Sequence, residues 1–235
     1  CKYFSRRVMN SIKIIMSFLL IFLWLSPLES AVKIAVTMKV SGTVDIEKSG
    51  SSGLSALKPG TILSDGDRIM TGKNGFAALI YIDDKSMVKI MGNTEVIIKG
   101  TRSAGSIAKQ VNIDHGTLRA LVNKQRKGEF VVQSPTSVAS VKGTNFWMIT
   151  DPETGDGLIV LEGLVSLTNL VSGETTDVGT GTTGTSSTDG SVETSETNPS
   201  DIPTDPDESG TPINQIEIEL EGPDGVIKTL MIDIQ

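Results

Sequence analysis

The chain has 235 residues, of which 38% are hydrophobic and 4% aromatic, with one cysteine and one histidine. That composition suits one medium domain with appendages better than two packed cores. Cys1 stands alone ahead of an apolar N-terminal run, which excludes a disulfide framework; with His115 as the only histidine, a His/Cys metal cluster or a His-based triad is excluded too. The net charge of −7 conceals a division: residues 1–142 hold 20 Lys/Arg and 10 Asp/Glu, a sum of +10, whereas residues 143–235 hold Lys228 against 18 acids, a sum of −17. A solvated domain followed by a solvated tail is the bland reading, and a basic face or an acidic binding tail is the sharper one.

In chain order, Lys13 and the upstream Lys2, Arg6 and Arg7 precede the apolar run Ile14–Leu25, roughly 12 residues where a bilayer needs about 20. Pro27 then breaks the run, and Ser30-Ala31 offers a small-residue cleavage site. Residues 1–30 therefore read as a secretory signal peptide, with Met9 as the expected start and residues 1–8 outside the translated chain. The remainder is expected in the periplasm or secreted; an uncleaved membrane anchor is the alternative.

From Val32 the period becomes two. Val32, Ile34, Val36, Met38 and Val40 alternate with Lys33, Ala35, Thr37 and Lys39, which predicts a strand with one wet face. A short strand Thr43–Glu47 follows, then a Ser/Gly loop tip at 49–53 and turns at Lys58-Pro59-Gly60 and Ser64-Asp65-Gly66-Asp67. Phe76–Ile82 and Ser86–Met91 predict a hairpin through Asp83-Asp84-Lys85, and the first of these strands is apolar on both faces and so expected in the interior. Further strands are expected over 95–99, 107–113, 116–122, 129–133, 138–142, 145–150, 158–162 and 164–168. No window sustains helical spacing. The fold class is thus all-β, a β-solenoid or sandwich of many short strands occupying residues 31–171.

Residues 172–212 number 41, and all but Val178, Val192, Asn198 and Ile202 are Gly, Ser, Thr, Pro, Asp or Glu, with nine acids and no base. So little apolar surface predicts a disordered acidic linker. In 213–235, Ile216, Ile218 and Leu220 alternate with Glu217, Glu219 and Glu221, and Gly222–Gly225 makes a turn before Val226–Ile234. That is a C-terminal β-hairpin, too small to be stable alone, so it docks in cis, pairs with a partner's strand edge, or belongs to a larger domain.

The candidate chemistry is sparse. The pairs Asp65/Asp67 and Asp83/Asp84 offer carboxylates for calcium or glycoside hydrolysis, and the loop Asp151–Asp156 for calcium, but Asp in turns ordinarily serves backbone hydrogen bonds. His115 beside Gly116 reads as a turn residue. Arg102, Lys109, Arg119, Lys124, Arg126 and Lys127 cluster along the chain and mark a candidate basic binding surface. Without interleaved aromatics it suits anionic envelope polymers or the chain's own acidic tail better than nucleic acid. Trp147 and Tyr81 lie in apolar strands and read as core. No catalytic residue, metal ligand or cofactor is assigned, and the chain is not read as an enzyme.

Three glycine-punctuated phrases recur: Gly66-Asp67-Arg68-Ile69-Met70-Thr71-Gly72, Lys142-Gly143-Thr144-Asn145-Phe146 and Leu161-Glu162-Gly163-Leu164-Val165. Together with Gly60, Gly75, Ala78–Ile82, Asp84-Lys85-Ser86, Asp114–Thr117 and Phe130–Pro135, this ordered series resembles the extracytoplasmic FecR domain of bacterial iron-transport regulators across about residues 40–168. The structural motif residues are then Gly66, Asp67, Thr71, Gly72, Gly143, Thr144, Phe146 and Gly163. Lys85 departs from the family's usual Gly, and a left-handed turn there would cost about 1 kcal/mol. The resemblance implies a non-enzymatic module acting by protein–protein contact or envelope signalling, with another envelope protein as partner; binding of a cell-wall or surface polysaccharide is the alternative. A stand-alone secreted FecR-like domain is expected to make no direct sigma-factor contact.

Overall fold

The computed structural model describes residues 32–103, 106–125, 128–207, 215–221 and 227–233. The expected signal peptide, and with it the question of cleavage, lies outside the described residues. The alternating segments fold as strands: β1 (Lys33–Ser41), β2 (Val44–Glu47), β3 (Leu54–Ala56), β4 (Ile62–Ser64), β5 (Asp67–Thr71), β6 (Phe76–Tyr81), β7 (Met87–Ile90), β8 (Glu95–Ser103), β9 (Ser106–Val122) and β10 (Phe130–Gln133). They continue as β11 (Ser137–Val141), β12 (Thr144–Asp151), β13 (Gly155–Glu162), β14 (Leu164–Asn169), β15 (Thr175–Gly179), β16 (Thr182–Ser187) and β17 (Val192–Glu196), and then β18 (Gln215–Glu221) and β19 (Ile227–Asp233).

The strands up to β17 build two layers. The first sheet runs β4–β1–β6–β7–β9–β12–β13–β16–β17. The second runs β3–β2–β5–β8–β9–β10–β11–β14–β15. Neighbours are antiparallel except β9 and β10, which pair in parallel from Lys109↔Phe130 to Asn112↔Gln133. The all-β expectation holds, with the sandwich realised.

β9 belongs to both layers. Up to His115 it pairs with β8 in the second sheet, and from Gly116 onward with β12 in the first. Two strands expected at 107–113 and 116–122 are therefore one, bent at a glycine. Every second residue points between the layers, where Leu79, Tyr81, Ile90, Val111, Leu118, Phe130, Phe146, Leu158 and Leu167 are fully buried. Phe76–Tyr81 is buried on both faces, because a smaller cluster of Phe76, Ala78, Met91, Trp147 and Ile159 lies on the outer side of the first sheet.

The expectation of a disordered linker over 172–212 is corrected as far as Asp207. Residues 175–196 supply β15, β16 and β17, and residues beyond Asp207 up to 214 lie outside the description. Composition misled because the apolar surface is contributed by the partner strands. Val178 is fully buried, and Gly184 lies so close to it that a Cβ would come within 2.6 Å of Val178 Cγ2. The threonines favour extended backbone and pair across strands, as Thr168 with Thr175 at 2.8 Å and Thr183 with Thr197 at 2.9 Å. Strands β18 and β19 pair antiparallel, in register from Gln215↔Asp233 to Glu221↔Ile227.

Lys85 takes a left-handed φ of 61° in the β6–β7 turn. A glycine there carries no Cβ strain, so Lys85→Gly is expected to stabilise the protein by about 1 kcal/mol, read as a raised denaturant midpoint at unchanged slope. A lowered midpoint would show that the longer turn absorbs the strain.

Candidate functional site

Among the described residues the expected basic residues do not share one exposed surface. Arg102 is exposed and donates to the Lys33 carbonyl at 3.4 Å, and Lys124 is exposed on the edge of a groove. Arg126 and Lys127 lie outside the described residues. Lys109 and Arg119, by contrast, are 3% and 5% exposed. The sequence shows the charges but not the face of the strand on which each one falls.

Lys109 sits in a closed ion-pair hub. Its Nζ lies 2.8 Å from Asp83 Oδ2 and 2.9 Å from Asp84 Oδ2, and 5.7 Å from the centre of the Tyr81 ring. Asp83 also accepts from the Ile107 amide, and Asp84 from the Ser86 amide and Gln125, so this carboxylate pair clamps the β6–β7 turn to β9. Burial, then the charges of Asp84 and Asp83, push the Tyr81 phenol well above its usual range. The turn role extends to the other acids: Asp67 accepts from the Ser49 and Ser64 amides and from Lys48, Asp65 from the Gly100 amide, and Asp151 from the Glu153 and Thr154 amides. His115 lies 3.3 Å from Asp114, beside Glu95, whose carboxylate is engaged by Arg68 at 2.6 Å.

Arg119 leads to a feature absent from the sequence reading. On the outer face of the first sheet, Lys39, Ala78, Lys89, Arg119, Trp147, Ile159 and Thr183 form one continuous row, each directly opposite the next on the neighbouring strand. The chain leaving β17 returns along this row. Thr197 meets Thr183, Ile202 packs on the Trp147 and Ile159 cluster, Asp205 reaches Lys89 and Arg119 at 2.8 Å each, and Asp207 reaches Lys39 at 2.7 Å and Lys89 at 3.2 Å. The Arg119 guanidinium lies 5.4 Å over the Trp147 ring and donates to Asn145 at 3.0 Å. The acidic segment thus meets three strands, through Lys39 on β1, Lys89 on β7 and Arg119 on β9.

Burial alone would raise the pKa values of Asp84, Asp205 and Asp207. Hydrogen bonds and ion pairs with Lys109, with Lys89 and Arg119, and with Lys39 and Lys89, respectively, outweigh it and hold all three below the ordinary 3.8. The folded state then binds fewer protons than the unfolded chain in this range. Their contribution is complete above the unfolded value and is lost as pH falls through the lowered folded values. The urea midpoint is expected to hold from pH 7 to about 5 and to drop below about 4. A flat profile down to pH 3 would contradict these pairs.

A second feature is a groove of about 830 Å³ at one end of the sandwich. Its walls are the end of β9, the β11–β12 turn carrying Lys142-Gly143-Thr144, and the β13–β14 turn with Glu162 and Leu164. Two of the recurring phrases, far apart in sequence, converge there. Gly163 lies directly against Gly143 and Thr144. Phe146 is core, while Asp67 and Thr71 are buried at the other end of the motif series. Thr71 Oγ1 donates to the Met91 and Thr94 carbonyls and accepts from the Thr94 amide, tying β5 to β8; Gly66 and Gly72 hold the turns at either end of β5.

The geometry defines a β-sandwich with a polar groove and a carboxylate-clasped outer face, in which the one helical turn among the described residues is the 3-10 segment Pro199–Asp201. Residues 67–166 match the family model described as FecR protein. Two crystal structures of a candidate anti-sigma factor from Parabacteroides distasonis ATCC 8503 are similar, each 14% identical, with TM-scores of 0.46 and 0.45. Each alignment covers 55% of this chain and 59% of that one, so the match spans less than two thirds of the solved protein. No curated protein matches the chain.

Proposed function

We propose that this protein is a non-enzymatic contact module of cell-envelope signalling, exported by its N-terminal segment and acting through another envelope protein. The observation that carries the reading is the FecR match over 67–166, whose span includes both phrases that line the groove. The groove supports it chemically. Lys124 and Lys142 stand among Glu129, Glu162 and Asp177, with the half-exposed Leu164 at the lip, a mix of charge and apolar surface typical of a protein interface rim. The polysaccharide alternative draws no support from the aromatic residues. Phe76, Tyr81, Phe130, Phe146 and Trp147, every aromatic among the described residues, are buried and present no stacking platform.

A photo-crosslinking residue at position 164 in envelope-expressed protein tests this. One discrete protein adduct is expected, diminished by Lys142→Glu and unaffected by a control crosslinker at the exposed Leu54. Adducts only to glycan, or none above the control, would reverse the reading.

A further inference from the structure

Lys89 and Arg119 are directly opposed on β7 and β9, and both are less than a tenth exposed. Like charges at opposed positions destabilise a sheet, and buried cations without an anion are worse. This face of the first sheet is therefore built around an anionic occupant. The cations lie inside the FecR match, whereas Asp205 and Asp207, which satisfy them, lie outside it. The occupying segment is not a strand of the sheet; it crosses the strands and engages them through Ile202, Asp205 and Asp207. Pro203 and Pro206 flank Asp205, and the chain turns at Pro206-Asp207, where the Asp207 amide donates to Asp205 Oδ1. Beside them a cleft of about 410 Å³ continues past Lys39 and Lys73 to Phe76.

We propose that the row Lys39–Lys89–Arg119–Trp147 is a recognition track for an extended acidic peptide segment of another protein, and that residues 202–207 are its resident, displaceable occupant. This deepens the contact-module reading and rests on it. The track reads two carboxylates spaced two residues apart, the first seated between Lys89 and Arg119 and the second between Lys89 and Lys39, with an apolar residue three positions upstream on the Trp147 cluster. Because the resident segment is tethered, it competes at a local concentration of about millimolar. A partner must therefore present further acidic residues to reach Lys73, or bind while the resident segment is lifted.

A fluorescent peptide with the sequence of residues 198–208 tests the proposal by anisotropy, titrated with the purified full chain. Asp205→Asn with Asp207→Asn in the protein vacates the track, and saturable binding at least tenfold tighter than to the wild type is expected. Replacing both aspartates in the peptide should abolish it. Equal binding to both proteins, or none to the variant while its circular dichroism and melting show it folded, overturns the proposal. So does a variant that elutes as a dimer and takes up no peptide, which assigns the track to a second copy of the chain. If the double variant does not fold, Asp207→Asn alone, which leaves Arg119 paired, carries the same comparison. The readout uses purified components, so its failure leaves the cross-link at position 164 standing, and the reverse.

Discussion

Asp205→Ala is expected to lower the stability of this protein by about 3–5 kcal/mol, more than any other single carboxylate removal on the outer face. The reason is what remains. Asp205 Oδ2 accepts from both Lys89 and Arg119 at 2.8 Å, and its side chain is 1% exposed. Deleting it removes the carboxylate shared by two buried cations opposed across neighbouring strands, and the loss is dominated by that under-neutralised buried charge. For a domain of this size the melting temperature should fall by roughly 10 °C. Asp207→Ala is the internal comparison. Its shorter partner Lys39 is 37% exposed and screened by solvent, and its other partner Lys89 keeps Asp205, so about 1 kcal/mol is expected. Adding Lys89→Met and Arg119→Met to Asp205→Ala should recover most of the loss, since no charge is then stranded. An Asp205→Ala variant that melts within a degree or two of wild type would mean that the segment does not neutralise this face.

Gly116→Ala should cost about 3 kcal/mol, at the point where β9 passes from one sheet to the other. Its φ of 104° lies where a Cβ is strained. A Cβ would also stand 2.3 Å from Thr94 Oγ1 and 2.6 Å from the Asn93 carbonyl oxygen and Thr94 Cα, so main chain as well as side chain must move. Thr94 is not free to do so. Its Oγ1 accepts from the Thr117 amide at 2.9 Å and its own amide donates to Thr71 Oγ1 at 2.9 Å, which joins β5, β8 and β9 at the crossing. Gly157→Ala is the control: the nearest atom to its Cβ is Ile149 Cβ at 3.9 Å, and a change within half a kcal/mol is expected. Equal effects at the two positions, measured by urea denaturation, would show that the crossing tolerates a side chain.

These residues also show where sequence reading succeeds and where it stops. Most strands between Lys33 and Asn169 were legible because the inner face of each must alternate with a wetter outer face, whereas β3 and β4, three residues each, are too short to show it. Phe76–Tyr81 was legible as interior because both of its faces are apolar. β15 to β17 were not, since their composition is that of a linker and their apolar contact, as at Gly184 on Val178, is supplied from elsewhere in the chain. The Asp189-Gly190 turn, flanked by β-branched threonine and valine, was the one local signal of a hairpin there. Arg119, expected on the same basic surface as Lys109, is instead buried against Asp205 of the chain's own acidic segment. Lys109 was marked for the same surface and instead closes the β6–β7 turn.

By itself the sequence determined the all-β class, the FecR motif series, the acidic and basic halves and the left-handed strain expected at Lys85, because each depends on neighbours within a few residues. Tertiary structure alone decided that β9 serves both sheets, that two distant motif turns share a groove, and that Asp205 and Asp207 lie on the Lys39–Lys89–Arg119 row. Those facts depend on strand order and register. Pairing β1 with β6, β7 with β9 and β9 with β12 brings residues scattered over more than a hundred positions into one line, and no local pattern encodes that line.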